Sequence, residues 1–215
     1  MSKIVPYTIV YEDNDIIVVN KSRDVLTIRT DDKKTFHYNL YYYLKMYLNK
    51  NNQELHIVHR LDYETSGLLV FAKNKEVKIK LQNAFKNHDV IRLYEAVIKE
   101  RIDLDKEFIV DQKLLDKEDK VIISDEGKEA ITKIKSVNYI NIGTALEVNI
   151  LTGRRNQIRI AIASLGYTLL GDKRYSNDIN KRLYLNAYYL KLPDNIGLKK
   201  NEFKINPLWI TKTTY

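Results

Sequence analysis

Cysteine is absent from this chain of 215 residues, so disulfides and thiolate chemistry are both excluded. Glycine and proline are scarce, with seven and three residues, and no stretch rich in either marks a linker. The sequence has no apolar run of about 18 residues that could span a membrane, and no apolar N-terminal segment with a cleavage site. We therefore expect a cytoplasmic protein without membrane insertion or a targeting signal.

Positive charge is in excess, because 36 Lys and Arg residues stand against 28 Asp and Glu residues, a net charge of +8. Such a surplus attracts polyanions, and a nucleic acid is the first candidate. Enrichment in Lys, Asn, Ile and Tyr can also reflect nucleotide bias in the coding gene, so the excess of positive charge alone does not establish nucleic-acid binding. The apolar fraction of 44% predicts one globular domain over residues 1–215, or one domain with two lobes.

Strands outnumber helices in the hydrophobic pattern. Alternating segments at 7–11 and 16–19, separated by an acidic turn, predict a β-hairpin. Further strands are predicted at 55–59, 68–72, 91–98, 121–123, 130–137, 145–151, 183–192 and 202–205. Residues 101–120 are charged and weakly patterned, which predicts a surface excursion. The order of elements predicts an α+β fold with a largely antiparallel sheet.

Three helices are predicted. Thr35 is the expected N-cap of the first, whose inward stripe would be Phe36, Leu40, Tyr43, Leu44, Tyr47 and Leu48. Asn74 is the expected N-cap of the second. The third begins near Arg154 and ends at Gly166, and its spacing would project Arg155 and Arg159 from one flank.

A polar loop joined directly to an apolar strand is the most informative stretch, HRLDYETSGLLVFAKN at residues 59–74. Asp62 is a candidate nucleophile or general base there, because a carboxylate gains that role when a cation holds its ionisation. From spacing alone, a turn or capping aspartate is an equal alternative. His56, His59 and Asp62 recur every three residues, but a strand followed by a loop does not suit a metal site.

The segment Thr152-Gly153-Arg154-Arg155 has the composition of an anion-binding turn at a helix N-terminus. It lacks the G-x-x-x-x-G-K-[ST] pattern, so nucleoside triphosphate chemistry has no support.

Three stretches together resemble the signature motifs of the RluA-type RNA pseudouridine synthases. They are HRLDYETSGLLVFAK, LYEAV around Tyr94, and TGRRNQIRIAIASLGYTLLGDKRY from residue 152 to 175. A weaker match is Ile17-Val18-Val19-Asn20-Lys21. The resemblance covers about residues 7–205. It implies a mixed, mostly antiparallel bent sheet flanked by helices, with two lobes around a central basic cleft.

The resemblance also implies an isomerase that detaches uracil from ribose in ribosomal or transfer RNA, rotates it and rejoins it through carbon. Asp62 would be the catalytic aspartate, attacking the ribose or the base or assisting a glycal-type route. Tyr94 would pack on the base, and Arg159 would pair with Asp62. No cofactor and no metal are expected, and a monomer is the default.

RNA contacts are implied as well. Arg60 would enter the RNA stack where the target nucleotide has flipped out, and the alternative for it is a simple phosphate contact. The further expected RNA-binding residues are Lys21, Thr65, Arg154, Arg155 and Gln157. No separate N-terminal RNA-binding domain is expected in this chain.

The sequence departs from the family pattern at three places. Ser22-Arg23-Asp24-Val25-Leu26 lacks the usual Pro and Gly turn, and Asn156 and Asn186 replace histidines. These changes concern the substrate rim. A non-catalytic RNA-binding or RNA-folding protein is the rival interpretation, and the retained Asp62, Tyr94 and Arg159 argue against it. A carboxylate-dependent hydrolase would need a second positioned acid, which has no recognisable place.

Overall fold

The computed structural model describes residues 6–30, 35, 37–49 and 53–210. In chain order its elements are β1 (Tyr7–Glu12), β2 (Ile16–Lys21), α1 (Leu40–Asn49), β3 (His56–Ile57), β4 (Ser66–Ala72), α2 (Lys75–Lys86), β5 (Ile91–Ile98), β6 (Glu107–Asp116), β7 (Val121–Ile123), β8 (Lys128–Ile140), β9 (Gly143–Ile150), α3 (Gln157–Ser164), β10 (Leu185–Lys191), a 3-10 helix (Asp194–Ile196) and β11 (Glu202–Lys204). The predicted α+β class is confirmed. Within this described part, no helix is long and apolar enough to cross a membrane.

The chain forms two compact units. The first comprises Met1–Val90 with Tyr189–Ile205, and the second comprises Ile91–Tyr188 with Asn206–Tyr215. Each unit is therefore built from segments that are separated in the sequence.

Strand β2 is central in the first unit, where it pairs antiparallel with β1 and with β4. The predicted hairpin of β1 and β2 is confirmed, and Asp13 closes its turn by accepting hydrogen bonds from the backbone N–H of Asp15 and Ile16, both at 2.8 Å. Strand β3 also pairs with β4, and β11 pairs with β10. Position Lys21 at the end of β2 lies opposite Gly67 of β4, beside the polar loop.

The core of the first unit combines early and late segments of the chain. Apolar side chains of β2, β4 and α2 pack together, for example Val18, Val70 and Leu81. The late segment contributes Leu190, Leu192, Ile196 and Phe203 to the same cluster.

Helix α2 begins as predicted, because the Asn74 side chain accepts a hydrogen bond from Val77 N at 2.8 Å. Helix α1 does not. It is capped by Asn39, whose Oδ1 accepts from Tyr42 N at 2.9 Å, whereas the Thr35 hydroxyl bonds to Thr30. Phe36 lies outside the described residues.

The stripe predicted for α1 is only partly buried. Leu40, Leu44 and Leu48 are buried, but Tyr47 is 41% exposed and its hydroxyl bonds to Glu12. Leucines at a spacing of four residues are sufficient to dock this short helix, so the tyrosine beside them stays at the surface.

The second unit contains an antiparallel sheet in the order β5-β9-β8-β6-β7. Strand β6 corrects the prediction of a surface excursion at 101–120, because it pairs with β8 from Glu107 opposite Lys135 to Leu114 opposite Lys128. Only Val110 and Leu114 are buried along β6. The apolar residues of β6 lie in two runs, 108–110 and 114–115, rather than in alternation, so the sequence does not show a strand pattern there.

Helix α3 starts later than predicted. Asn156 precedes it in the left-handed region at φ 56°, so Arg154 and Arg155 lie before the helix. Gly166, at φ 80°, ends the helix as predicted, and its N–H donates to Ala163 O at 3.0 Å.

Candidate active site

Asp62 lies in the loop between β3 and β4 of the first unit and is half-buried. The backbone N–H of Thr65 donates to the carbonyl of Asp62 at 3.2 Å and closes the turn. Leu61, just before Asp62, is held by the buried hydroxyl of Thr27, which donates to Leu61 O at 2.8 Å and accepts from Leu61 N at 3.3 Å. The backbone on both sides of Asp62 is therefore fixed by buried or internal groups.

Lys21 also holds this loop, through hydrogen bonds from its ammonium group. Its side chain is fully buried, and Nζ donates to the carbonyl oxygens of Ser22, Val25 and Tyr63 at 3.0, 2.7 and 3.1 Å. Three acceptors satisfy the three donors of an ammonium group. Tyr63 follows Asp62 directly, so Lys21 ties the 22–25 segment to the Asp62 loop.

Burial lowers the pKa of Lys21 from 10.5 to about 7. Removal from water disfavours the charged form, while the negative charges of Asp62 and Asp24 act in the opposite direction. The ammonium thus costs free energy to bury, and the carboxylate of Asp62 recovers part of that cost.

His59 acts in packing and in backbone hydrogen bonding. Its Nε2 accepts from Val70 N at 3.1 Å, and its ring stacks on Phe85 of α2 with centroids 4.4 Å apart. The described part of the chain contains no group of three or more His, Cys, Asp or Glu side chains arranged to hold a metal ion.

Tyr94 lies in the second unit on β5, opposite Val148 of β9, and is 5% exposed. Arg92 shares its face of the strand by the period of two. The Nη2 of Arg92 donates to Thr152 O at 3.1 Å, and burial lowers the pKa of Arg92. Gly153 permits this approach, since a Cβ there would lie 2.9 Å from Arg92 Nη1.

Arg159 makes a bidentate ion pair with Asp172 inside the second unit. Arg159 Nε donates to Oδ2 at 2.9 Å and Nη2 donates to Oδ1 at 2.7 Å. The two side chains are 2% and 0% exposed. The Arg159 guanidinium also lies 5.5 Å from the ring centroid of Tyr175.

Gln157 is buried and fully engaged at the start of α3. Its Oε1 accepts from the Thr152 hydroxyl at 2.8 Å and from Arg154 N at 3.0 Å. Its Nε2 donates to Ile131 O and to the Thr132 hydroxyl, both at 3.0 Å. The side chain therefore joins the turn at 152–154 to strand β8.

Arg155 points away from the flank predicted for it. It pairs with Asp116 at 2.8 Å and donates to Lys117 O at 2.6 Å, so it binds the turn after β6. Arg159 instead contacts Asp172, and the shared flank is a wrong prediction because Arg155 precedes the helix.

A sequence model described as RNA pseudouridylate synthase matches residues 15–164. The chain belongs to the RluA-type RNA pseudouridine synthase family. Membership in this pseudouridine synthase family implies an isomerase activity that converts uridine to pseudouridine in RNA.

Two bacterial relatives illustrate the similarity to pseudouridine synthases. The ribosomal large subunit pseudouridine synthase C of Rickettsia prowazekii is 35% identical over 221 residues, which cover 98% of this chain and 71% of that protein. The ribosomal large subunit pseudouridine synthase D of Borreliella burgdorferi is 30% identical over 210 residues, covering 93% of this chain and 64% of that protein. The chain thus spans about two thirds of each relative.

A solved structure of a human pseudouridine synthase relative, RNA pseudouridylate synthase domain containing 4, has the same fold. Its TM-score is 0.73 at 21% sequence identity, over 93% of this chain and 88% of that one.

The residues expected to form the pseudouridine synthase site are divided between the units, with Asp62 in the first and Tyr94 and Arg159 in the second. Joint action of the three stays a prediction.

The expected RNA contacts differ in surroundings. Arg60 is exposed, and Arg154 and Arg155 are half-buried. Lys21, Thr65 and Gln157 are buried, at 0%, 2% and 3% exposure. The hydrogen bonds of Lys21 and Gln157 are made within the protein, which favours a structural role over RNA contact for these two residues.

Sequence reasoning missed two carboxylates in the second unit. Asp172 was contained in the third motif, but no local pattern marks a partner of Arg159. Glu95, next to Tyr94, is fully buried and accepts hydrogen bonds from Asn186 Nδ2 and from the backbone N–H of Leu208 and Trp209, each at 2.7 Å. Asn186, one of the departures from the family pattern, thus serves as an internal partner.

Proposed function

We propose that this chain isomerises a uridine of large-subunit ribosomal RNA to pseudouridine, with Asp62 as the catalytic carboxylate. The observation that carries the proposal is the Asp62 loop, in which the HRLDxxTSG motif coincides with a backbone held by Lys21 and Thr27. A reactive group gains precision when the backbone around it is immobilised in this way. The names of both bacterial relatives support ribosomal RNA as the substrate.

The reaction breaks the bond between N1 of uracil and C1′ of ribose and forms a bond between C5 and C1′. The proton on C5 is lost, and N1 gains one. Asp62 would act in its ionised form, either on the ribose or on the base.

Tyr94 and Arg159 are the proposed partners of Asp62, and the motif matches support these roles. A tyrosine ring offers a stacking surface for the extruded uracil. A guanidinium held by hydrogen bonds offers a second edge for a carboxylate, in the planar geometry that favours Arg over Lys.

Arg60 is the proposed residue that occupies the space left by the flipped nucleotide. Chemistry on a base inside an RNA stem requires extrusion of that base. Unless another group fills the vacated position, the stacking energy of the extruded base is lost. Its exposure and its position two residues before Asp62 support this role. Arg154 and Arg155 are the proposed phosphate contacts.

The test is pseudouridine mapping on purified large-subunit ribosomal RNA treated with the recombinant chain. We expect the Asp62→Asn variant to form no detectable pseudouridine while its RNA affinity stays within about tenfold of the wild type. Asp89→Asn, an equivalent change at an exposed position in the same unit, is the matched control. Full activity of Asp62→Asn would refute the role of Asp62.

Transfer RNA is the comparison substrate in the same assay. Modification of transfer RNA alone would overturn the ribosomal assignment and leave the catalytic assignment intact. RNA binding by the wild type without any modification would favour the rival non-catalytic protein.

A further inference from the structure

Asp172 is the principal partner of Arg159 within the second unit. Both side chains are buried, and the two Asp172 oxygens each accept from a different guanidinium nitrogen. Bidentate pairs of this kind fix the plane of the guanidinium as well as its position. The pair occupies the edge of Arg159 formed by Nε and Nη2. Asp172 therefore sets the plane of the guanidinium and, with it, the direction in which the edge that carries Nη1 faces.

The carboxylate of Asp172 is itself held by the backbone. Its Oδ1 also accepts from Arg174 N at 2.9 Å and from Tyr175 N at 3.1 Å. These two N–H donors anchor the carboxylate independently of Arg159. Asp172 thus behaves as a fixed acceptor to which the arginine is fitted.

The turn that presents Asp172 has little freedom. Gly171, just before it, adopts φ +79°, and a Cβ there would lie 1.6 Å from Arg182 O. The N–H of Gly171 donates to Asp178 Oδ2 at 2.5 Å. The backbone around Asp172 is consequently fixed by a close contact and by a hydrogen bond.

We propose that Asp172 is a positioning residue that orients the guanidinium of Arg159 for its partnership with Asp62. This inference rests on the proposed function of Arg159. Asp172 touches neither base nor ribose in this scheme. It acts only through Arg159, by holding the guanidinium plane in one rotational setting.

The inference predicts non-additive effects on the rate of pseudouridine formation. We expect Asp172→Asn to lower the single-turnover rate at saturating RNA by about 10- to 100-fold, with RNA affinity changed less than about threefold. Arg159→Lys removes the planar fork and should be at least as slow. In the double variant, Asp172→Asn should add less than about threefold to the loss, because Arg159→Lys has already removed the planar guanidinium that Asp172 orients.

A purely structural role for Asp172 gives a different result, since its cost would then add to that of Arg159→Lys. Additive losses in the double variant would overturn the inference, as would a wild-type rate for Asp172→Asn. The matched control is Asp111→Asn, an equivalent change at an exposed position on β6 of the same unit. The expected rate for this control is within about threefold of the wild type.

The same measurements separate this inference from the proposed function. Wild-type turnover by Arg159→Lys would refute the role of Arg159, and activity of Asp62→Asn would refute the role of Asp62. A slow Arg159→Lys together with a fast Asp172→Asn would refute the present inference alone. If Asp172→Asn fails to fold, Asp172→Glu replaces it in the cycle, since this variant keeps the charge and displaces the carboxylate. A wild-type rate for Asp172→Glu would overturn the inference.

Discussion

Lys21 should make the stability of the protein rise with pH in a window set by its pKa. The pKa falls from 10.5 to about 7 on burial. Between these values the unfolded chain binds a proton at Lys21 and the folded chain does not. Free energy of unfolding rises with pH wherever the unfolded state binds more protons, so this lysine contributes increasing stability from about pH 7 upward.

The size of the effect follows from the same two values. Each pH unit within the window is worth at most about 1.4 kcal/mol. The full slope develops only once the folded form is deprotonated, so about 2 kcal/mol is expected between pH 7 and pH 9. Below about pH 6, Lys21 should add no slope, because it is protonated in both states.

Urea unfolding of the wild type and of Lys21→Met, measured at pH 6, 7, 8 and 9, tests this reasoning. The difference between the two proteins cancels the contributions of groups common to both, and it should grow by about 2 kcal/mol in favour of the wild type from pH 7 to pH 9. Lys75→Met, an exposed lysine at the start of α2, controls for the loss of one charge. A difference that stays constant with pH would show that Lys21 remains charged in the folded protein.

Gly171→Ala should destabilise the protein by about 3 kcal/mol or more, because the new Cβ would collide with Arg182 O. Gly166→Ala should cost only about 1 kcal/mol, because Gly166 has a similar φ of +80° but no atom within 4 Å of the new Cβ. Thermal unfolding of the two variants compares them directly, and equal losses would contradict the close contact. Thr27→Val should cost about 1–3 kcal/mol, because it leaves both backbone groups of Leu61 without the hydroxyl. The rate of pseudouridine formation should fall too, since Asp62 follows Leu61, and Thr27→Ser should restore both properties; a Val variant with the stability of the wild type would refute this.

Local sequence patterns predict a helix or strand correctly where neighbouring residues determine its structure. The β1–β2 hairpin depends on its own turn, and α2 depends on the Asn74 cap, so both were evident from the sequence. Helix α3 was placed too early because the backbone turn at Asn156 is a feature of conformation that residue spacing does not record.

Long-range pairing explains the remaining differences. Strand β6 was missed because it depends on eight paired positions with β8 and buries few of its own side chains. The partner of Arg159 and the burial of Lys21 likewise depend on residues that meet only in the folded chain. The family resemblance identified Asp62, whereas only the structure shows what holds its loop.

The discontinuous core of the first unit has a consequence for the timing of folding during synthesis. Leu190, Leu192, Ile196 and Phe203 belong to the cluster that includes β4, the strand that follows the Asp62 loop. A ribosome makes these residues only after it has made the whole of Ile91–Tyr188. The packing that supports the strand after the Asp62 loop is therefore complete only when this distant segment has been synthesised.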